Sequence, residues 1–430
     1  MPGARGSGAS AVPLVLAAVL VATLATAAWV KWRRSAVVQR VPPAAARVEL
    51  AHVDAGPSSA EPPADVAPGA GNHGARMLHG DARHTHRAAG RAPRAKPEVV
   101  WSRDVGGPVE AQVVTSPDGQ TLYAASLNGK LVALARADGV TKWTFDLGDR
   151  AYATPCVADD GTLYAGSDAR KLVALTPEGK TRWTFDAEDE ADTGCVLASD
   201  GTVVFAAGRR AYGLTPYGFV KWRFTAKRKV YTSPAIGADG RVFLGSQDHH
   251  VYALTPQGGP VWSVDLGADV DGAPVVADDG ALYVGTDGNE VVRLDPGDGR
   301  VVWRAKVGGY VRGTLAVTRR GDVAAGVYGP APRQLLLSPD DGAVRMQFAI
   351  QGTGAREFGI HGGALEDDAG VLLFGAQDDA LYAVDPRGAS GEPLWRFAAG
   401  GDVDSPVTLL EDGAIVFGAD DGRVTLLRGH

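Results

Sequence analysis

Cysteine is almost missing from this chain: only Cys156 and Cys195 occur in 430 residues. That excludes a disulfide-framed domain and any metal site built from several thiolates. Charge of a single sign is also lacking, since 43 Lys and Arg stand against 50 Asp and Glu, for a formal net charge of −7. No basic footprint for nucleic acid follows from that balance. GxSxG, P-loop and HExxH patterns do not occur, so the nucleophile elbow, phosphate cradle and metalloprotease helix lack sequence support. Asp287-Gly288 and Asp421-Gly422 lack the alternating ligands and closing Glu of a calcium loop and read as hairpin turns. Beyond the N-terminus, no stretch has the period of a long amphipathic helix.

A repeat is what the chain does have. Between Trp222 and Trp262 the segments YTSPAIG, RVFLGS and VYAL are set apart by Ala238-Asp239-Gly240 and Gln247-Asp248-His249, and Thr255-Pro256-Gln257-Gly258 leads to the next Trp. Apolar alternation with β-branched and aromatic residues, punctuated by Gly, Asp and Pro, predicts four short antiparallel strands. The anchor recurs as Trp101, Trp143, Trp183, Trp222, Trp262, Trp303 and Trp395, with Phe348 taking its place in the one gap. A period of roughly 40 residues marks a propeller. Sheets set radially diverge outward, and one bulky aromatic per blade would fill the widening gap.

Closure follows from the ends of the array. The last copy stops after Val424-Thr425-Leu426-Leu427 without a Trp strand, and the first Trp strand, Val99-Val100-Trp101, has no three strands before it. The expectation is therefore an all-β, eight-bladed propeller over 97–430, closed by strand 98–103 pairing with the last blade. A seven-bladed ring would require one of the two loosest copies, carrying Gly329-Pro330-Ala331-Pro332 and Phe348, not to be a blade.

Residues 1–10 form a short tail, and 11–30 are uncharged, long enough to cross a bilayer. Trp29 and Trp32 suit an interfacial belt. Cleavage after Ala25-Thr26-Ala27, as in a signal peptide, is the other reading. The positive-inside rule sets Lys31, Arg33, Arg34 and Arg40 against Arg5, which favours a cytoplasmic C-terminus. Residues 31–96 read as a Pro/Ala-rich linker and lead-in, with the basic residues from Arg83 to Lys96 solvated or touching anionic lipid.

Loops from each Trp strand into the next blade should gather at one mouth of the ring. Matching the copies sets Glu110, Tyr152, Asp192, Tyr231, Asp271, Arg312, Ile360 and Val403 at one position, either as ordinary solvated channel wall or as a site for a polar ligand or peptide. Asp192 and Asp271 lie two blades apart, too far for an acid/base pair. Asp186, Glu188, Asp189 and Glu190 crowd one loop, and Lys227, Arg228 and Lys229 the next. They either screen one another or form a bipolar docking patch. Cys156 and Cys195 hold matching places on adjacent inner strands, as small core residues or, if their Cα atoms come within roughly 7 Å, as a disulfide. His79, His84 and His86 with Asp81 have metal-like spacing but no second cluster completes a site, and His249-His250 fall in a turn.

The phrase HGDARHTHR at 79–87, then PEVVW and the DGTLYAGS…LVALTPEG…W units, resembles the PQQ-like β-propeller repeat family. Its members include quinoprotein alcohol dehydrogenases and the outer-membrane assembly lipoprotein BamB. The resemblance implies the propeller fold and an extracytoplasmic, periplasmic setting, opposite to the charge rule. The dehydrogenase branch implies a vicinal disulfide, an aromatic platform and a calcium-binding carboxylate set, and here the cysteines lie a repeat apart and no copy has a Trp outside its anchor. BamB implies a lipobox Cys, and the first here is Cys156. The expectation is a monomeric, membrane-tethered scaffold of the cell envelope, without enzymatic activity, cofactor (PQQ and Ca²⁺ included), metal or nucleic acid, that recognises a protein or peptide through its loops. The alternatives are a PQQ-dependent dehydrogenase and an envelope ligand sensor acting through a separate signalling partner.

Overall fold

Short strands and tight turns follow directly from the repeat chemistry. In the copy that ends at Trp262 the strands are Ala235–Ile236, Val242–Gly245, His250–Leu254 and Pro260–Asp265, hydrogen-bonded in sequence order. Gly240, between the first two, holds a φ of +80°, which a side chain would strain. The two middle strands are buried on both faces apart from His250, while the outermost alternates exposed and half-buried residues. A sheet sandwiched between neighbouring blades needs that pattern.

The computed structural model describes residues 74–350, 358–388 and 392–429. The expected span at 11–30 and the linker as far as residue 73 lie outside them. Among the described residues no helix is long and apolar enough to cross a membrane. Eight four-stranded sheets are formed. We number the blades by their innermost strands: blade 1 begins at Val114–Thr115, 2 at Cys156–Val157, 3 at Val196–Leu197, 4 at Ala235–Ile236, 5 at Val275–Val276, 6 at Ala316–Val317, 7 at Leu365–Glu366 and 8 at Thr408–Leu409. Blades 6 and 7 are both complete, which leaves no room for a seven-bladed ring.

Blade 8 is closed from the other end of the chain. Glu98–Asp104 pairs antiparallel with Arg423–Arg428, Trp101 opposite Leu426 and Asp104 opposite Arg423. Blade 8 thereby gains its fourth strand, like the other seven.

Tryptophans staple most of the blades to the next. Trp143, Trp183, Trp262 and Trp303 donate from Nε1 to the carbonyls of Pro177, Pro216, Pro296 and Pro339 at 2.8–2.9 Å. Each accepting proline lies in the turn before the following blade's outermost strand. In blade 6 the register differs from the sequence expectation. Met346 sits opposite Leu336 as Trp303 sits opposite Arg293, so Met346, not Phe348, holds the anchor position. Phe348 corresponds to the second aromatic of the WTF and WRF phrases and packs edge-on against Phe374 and Tyr382.

Residues 74–96 are not a solvated linker. They curl across one face of the ring and bond to the innermost strands of blade after blade. Thr115, Val157, Ile236, Val276, Val317 and Glu366 donate backbone N–H to the carbonyls of Ala75, Arg76, Ala82, Arg83, Thr85 and His86. Orphan donors at the ends of these two-residue strands are satisfied in this way. The basic residues pair with aspartates on the same face: Arg76 with Asp159, Arg83 and Arg87 with Asp278, Arg91 with Asp368 and Arg94 with Asp385. Exposed pairs of this kind contribute little singly, and their role is to hold the segment in register.

Cys156 and Cys195 are bonded, with Cα atoms 5.7 Å apart. The bond ties the innermost strands of blades 2 and 3, in place of the two free core thiols.

Candidate functional site

A buried apolar residue sets the geometry of the opposite face, where the inter-blade loops enter the innermost strands. Val109, Ala191, Val230, Val270, Val311 and Val403 donate their N–H groups to carbonyls of the blade just left, at Ala419, Ser167, Gly208, Ser246, Thr286 and Ala376. Ala151 and Ile360 take the equivalent places, and all eight are essentially inaccessible. The residue after each one turns toward the mouth. Six of these are the expected Glu110, Tyr152, Asp192, Tyr231, Asp271 and Arg312. The last two differ: Ile360 and Val403 are the buried residues, and the mouth positions belong to His361 and Asp404. Gly375 leaves the room that Val403 fills, since a Cβ there would fall 2.3 Å from Val403 Cγ1.

Acids dominate this mouth, and burial shifts them. The Glu110 carboxyl is pushed up to about 7 by desolvation, then by Asp404 and Asp420. Asp192 also reaches about 7, through burial first, with Asp168 and Glu190 adding to it. Asp271 rises to about 6 by burial and the charge of Asp287. Asp402 and Asp420, on neighbouring loop and turn, rise to about 6 by burial and then by Asp404. Neither Asp192 nor Asp271 feels the other, so they form no acid/base pair.

Part of this acidity is neutralised within the loops. Arg312 holds Asp287 through two parallel contacts, Nε to Oδ1 at 3.0 Å and Nη2 to Oδ2 at 2.8 Å, and stacks over Tyr310 at 4.8 Å. Arg150 meets Asp168 at 2.9 Å. Lys229 bridges to Glu190 at 2.8 Å, joining the two halves of the charged patch. The rest of that patch turns to its own blades: Glu188 pairs with Arg210, the Lys227 amide donates to Asp248 and the Arg228 guanidinium to the Gln247 carbonyl. Asp186 ends its outermost strand opposite Lys171, and Asp189 packs against Gly208. Among the described residues one bridge, not a continuous network, links the acidic loop to the basic one.

Three imidazoles fill the channel from the other face. His79, His84 and His86 are buried, and each gives one ring nitrogen to a backbone carbonyl at 3.1 Å, of Gly362, Pro274 and Val407 respectively. His79 and His86 stack at 3.7 Å between centroids. Desolvation lowers His84 and His86 to about 4. Stacked rings cannot converge on one ion, and no metal-holding group of three or more His, Cys, Asp or Glu occurs among the described residues. The mouth is thus a cup with a neutral imidazole floor and a carboxylate-rich wall.

The residues here do not suit a quinone disc. Every Trp among the described residues lies on an outermost strand, so no indole platform faces the channel. The single Arg among the eight mouth positions is committed to Asp287. The cysteines cross-link two blades instead of forming a vicinal pair.

The family model described as outer membrane protein assembly factor BamB matches residues 94–191, 168–256 and 247–326. A sequence search of curated proteins finds no match. Among solved structures, BamB from Moraxella catarrhalis is similar at 20% identity and a TM-score of 0.62, covering 78% of this chain and 98% of that one. A europium-containing methanol dehydrogenase is similar at 11% identity and a TM-score of 0.69, covering 81% and 91%. The quinohemoprotein alcohol dehydrogenase from Comamonas testosteroni gives 13% identity and 0.67, covering 83% and 80%. At such identities these likenesses establish the propeller and nothing finer.

Proposed function

The chain belongs to the PQQ-like propeller family described as outer membrane protein assembly factor BamB, and from that premise we propose that it is a non-enzymatic binding or scaffold module of the cell envelope. It recognises a protein or an extended peptide through the loops of its mouth face. One observation carries this reading. The lead-in occupies the opposite face, so the mouth is where unlike polar side chains on short, rigidly held loops remain available.

A tether at residues 11–30 would hold the ring at the membrane, on the extracytoplasmic side. The bond between Cys156 and Cys195 supports that side, because such cross-links persist in oxidising compartments. The lack of an indole platform and the engagement of Arg312 favour a scaffold over a quinone enzyme. Purified protein incubated with PQQ and Ca²⁺ is expected to take up no stoichiometric cofactor, and uptake with dye-linked alcohol oxidation would overturn the proposal. Affinity capture of the intact chain from membranes is expected to bring a specific partner. Combining Lys227→Glu, Arg228→Glu and Lys229→Glu should weaken that capture if the charged loops take part, and unchanged capture removes them from the binding surface.

A further inference from the structure

Blades 7, 8 and 1 bring together four carboxylates that the protein itself does not neutralise. Asp402 and Asp404 come from the loop entering blade 8, Asp420 from a turn within blade 8, and Glu110 from the loop entering blade 1. The three segments are bonded to each other: the Asp420 amide donates to the Asp402 carbonyl at 2.9 Å, and the Val109 amide to the Ala419 carbonyl at 3.2 Å. Elsewhere around the mouth Asp287, Asp168 and Glu190 each have a cation, namely Arg312, Arg150 and Lys229. Among the described residues no ion pair reaches any of these four.

Asp404 is the sharpest member. It is only 7% exposed. Its Oδ2 accepts from Gln377 Nε2 at 2.9 Å, while its buried Oδ1 has no partner. Leaving a buried carboxylate oxygen unpaired is costly, and the Asp404 charge lies close enough to perturb each of the other three acids. Tyr328 stands against the same group, buried and sensing Asp404, Glu110 and Asp402. Carboxylates beside an aromatic wall match an organic cation, which takes charge-assisted hydrogen bonds on one side and a ring on the other. A bare divalent ion is the poorer fit, since no metal-holding set is formed there among the described residues.

We propose that this sector of the mouth binds a protonated amine or guanidinium, supplied by a lysine or arginine side chain of a peptide or by a free polyamine. The inference rests on the mouth being the binding face and gives that face its ligand chemistry. Asp404 Oδ1 receives the cation's N–H, and Glu110, Asp402 and Asp420 balance its charge.

The test is calorimetric titration of the full chain at ~150 mM salt with a lysine-containing acetylated peptide, with spermidine and with CaCl₂ separately. The variants are Asp404→Asn and Glu110→Gln, with Asp138→Asn, in the exposed turn before the outermost strand of blade 1, as control. The expected result is binding of at least one organic cation that weakens about tenfold or more in either mouth variant and is unchanged in the control. A preference for peptide or for spermidine identifies the source. The proposal is overturned if neither organic cation binds, if both mouth variants bind like the parent, or if Ca²⁺ binds more tightly than both through the same residues. Partner capture that persists without any cation binding sinks this inference and leaves the scaffold reading standing. Cation binding without partner capture does the reverse.

Discussion

Trp395 donates its indole N–H to the carbonyl of Pro93 at 2.7 Å, across 302 residues of sequence. The other staples end on a turn between the last two strands of the following blade. Blade 8 has no such turn, because its last two strands come from opposite ends of the array, and the lead-in supplies the missing carbonyl. Replacing Trp395 by Phe should cost about 1 kcal/mol for the lost bond, and by Ala about 3–5 kcal/mol for the emptied core. Chemical denaturation measures both. Equal losses would mean that the bond, not the ring, dominates the staple.

Trp222 makes an internal control for that bond, because its Nε1 has no partner among the described residues. Trp222→Phe is expected to destabilise less than Trp183→Phe, which gives up a 2.8 Å bond to Pro216. The packing beneath Trp222 is unforgiving all the same. Gly258 holds a φ of +78°, and a Cβ there would lie 2.6 Å from the indole. Gly258→Ala should therefore lose about 2 kcal/mol or more, from strain and overpacking together. A neutral result in thermal melts would contradict the staple geometry.

The disulfide closes a sequence separation of 39 residues, for which loop entropy suggests about 4 kcal/mol of stabilisation. Adding reductant to the folded protein should lower its denaturation midpoint. The double replacement Cys156→Ala, Cys195→Ala should lower it comparably and abolish the response to reductant. A reductant effect that survives in the double variant would place its cause elsewhere.

Two sets of perturbed groups set the pH response, with opposite signs. His84 and His86 titrate near 4 in the folded ring, below the ordinary value of 6.5, so the unfolded chain binds their protons first and stability falls as pH drops from about 6.5 toward 4. Glu110, Asp192, Asp402 and Asp420 are shifted upward, to about 7, 7, 6 and 6. They keep protons that the unfolded chain releases from about pH 4 upward, so their contribution is full below about 4 and is lost as pH rises through 6 to 7. The two sets therefore oppose each other from about pH 4 to 6.5, and above about 6.5 the acids act alone and melting temperature should fall as pH rises. Glu110→Gln should reduce that fall, and a fall unchanged in the variant would reassign the groups.

The ring was readable because each copy repeats its turn chemistry, its alternation and its anchor together, and because the unpaired first strand and the incomplete last sheet demand each other. Register within the irregular copies was harder. In blade 6 the anchor place is taken by Met346, and an aromatic two residues later draws attention to Phe348. At the mouth, Ile360 and Val403 align well by spacing alone, and the sharper guide is the buried apolar residue that precedes each mouth position. Asp402, Asp420 and Tyr328 went unmarked because loops from three blades bring them together, and no local pattern records that. The three lead-in histidines look like surface residues in a polar phrase. Only the backbone donors of the two-residue innermost strands, which need carbonyl partners, reveal that this phrase is structural.

The seam between Glu98–Asp104 and Arg423–Arg428 also bears on biosynthesis. A ribosome makes the first of these strands long before its mate, so the growing polypeptide carries an exposed β-edge until translation is nearly finished. Early release or a slow final stretch would leave that edge free to join a second molecule, making aggregation the characteristic failure of truncated forms.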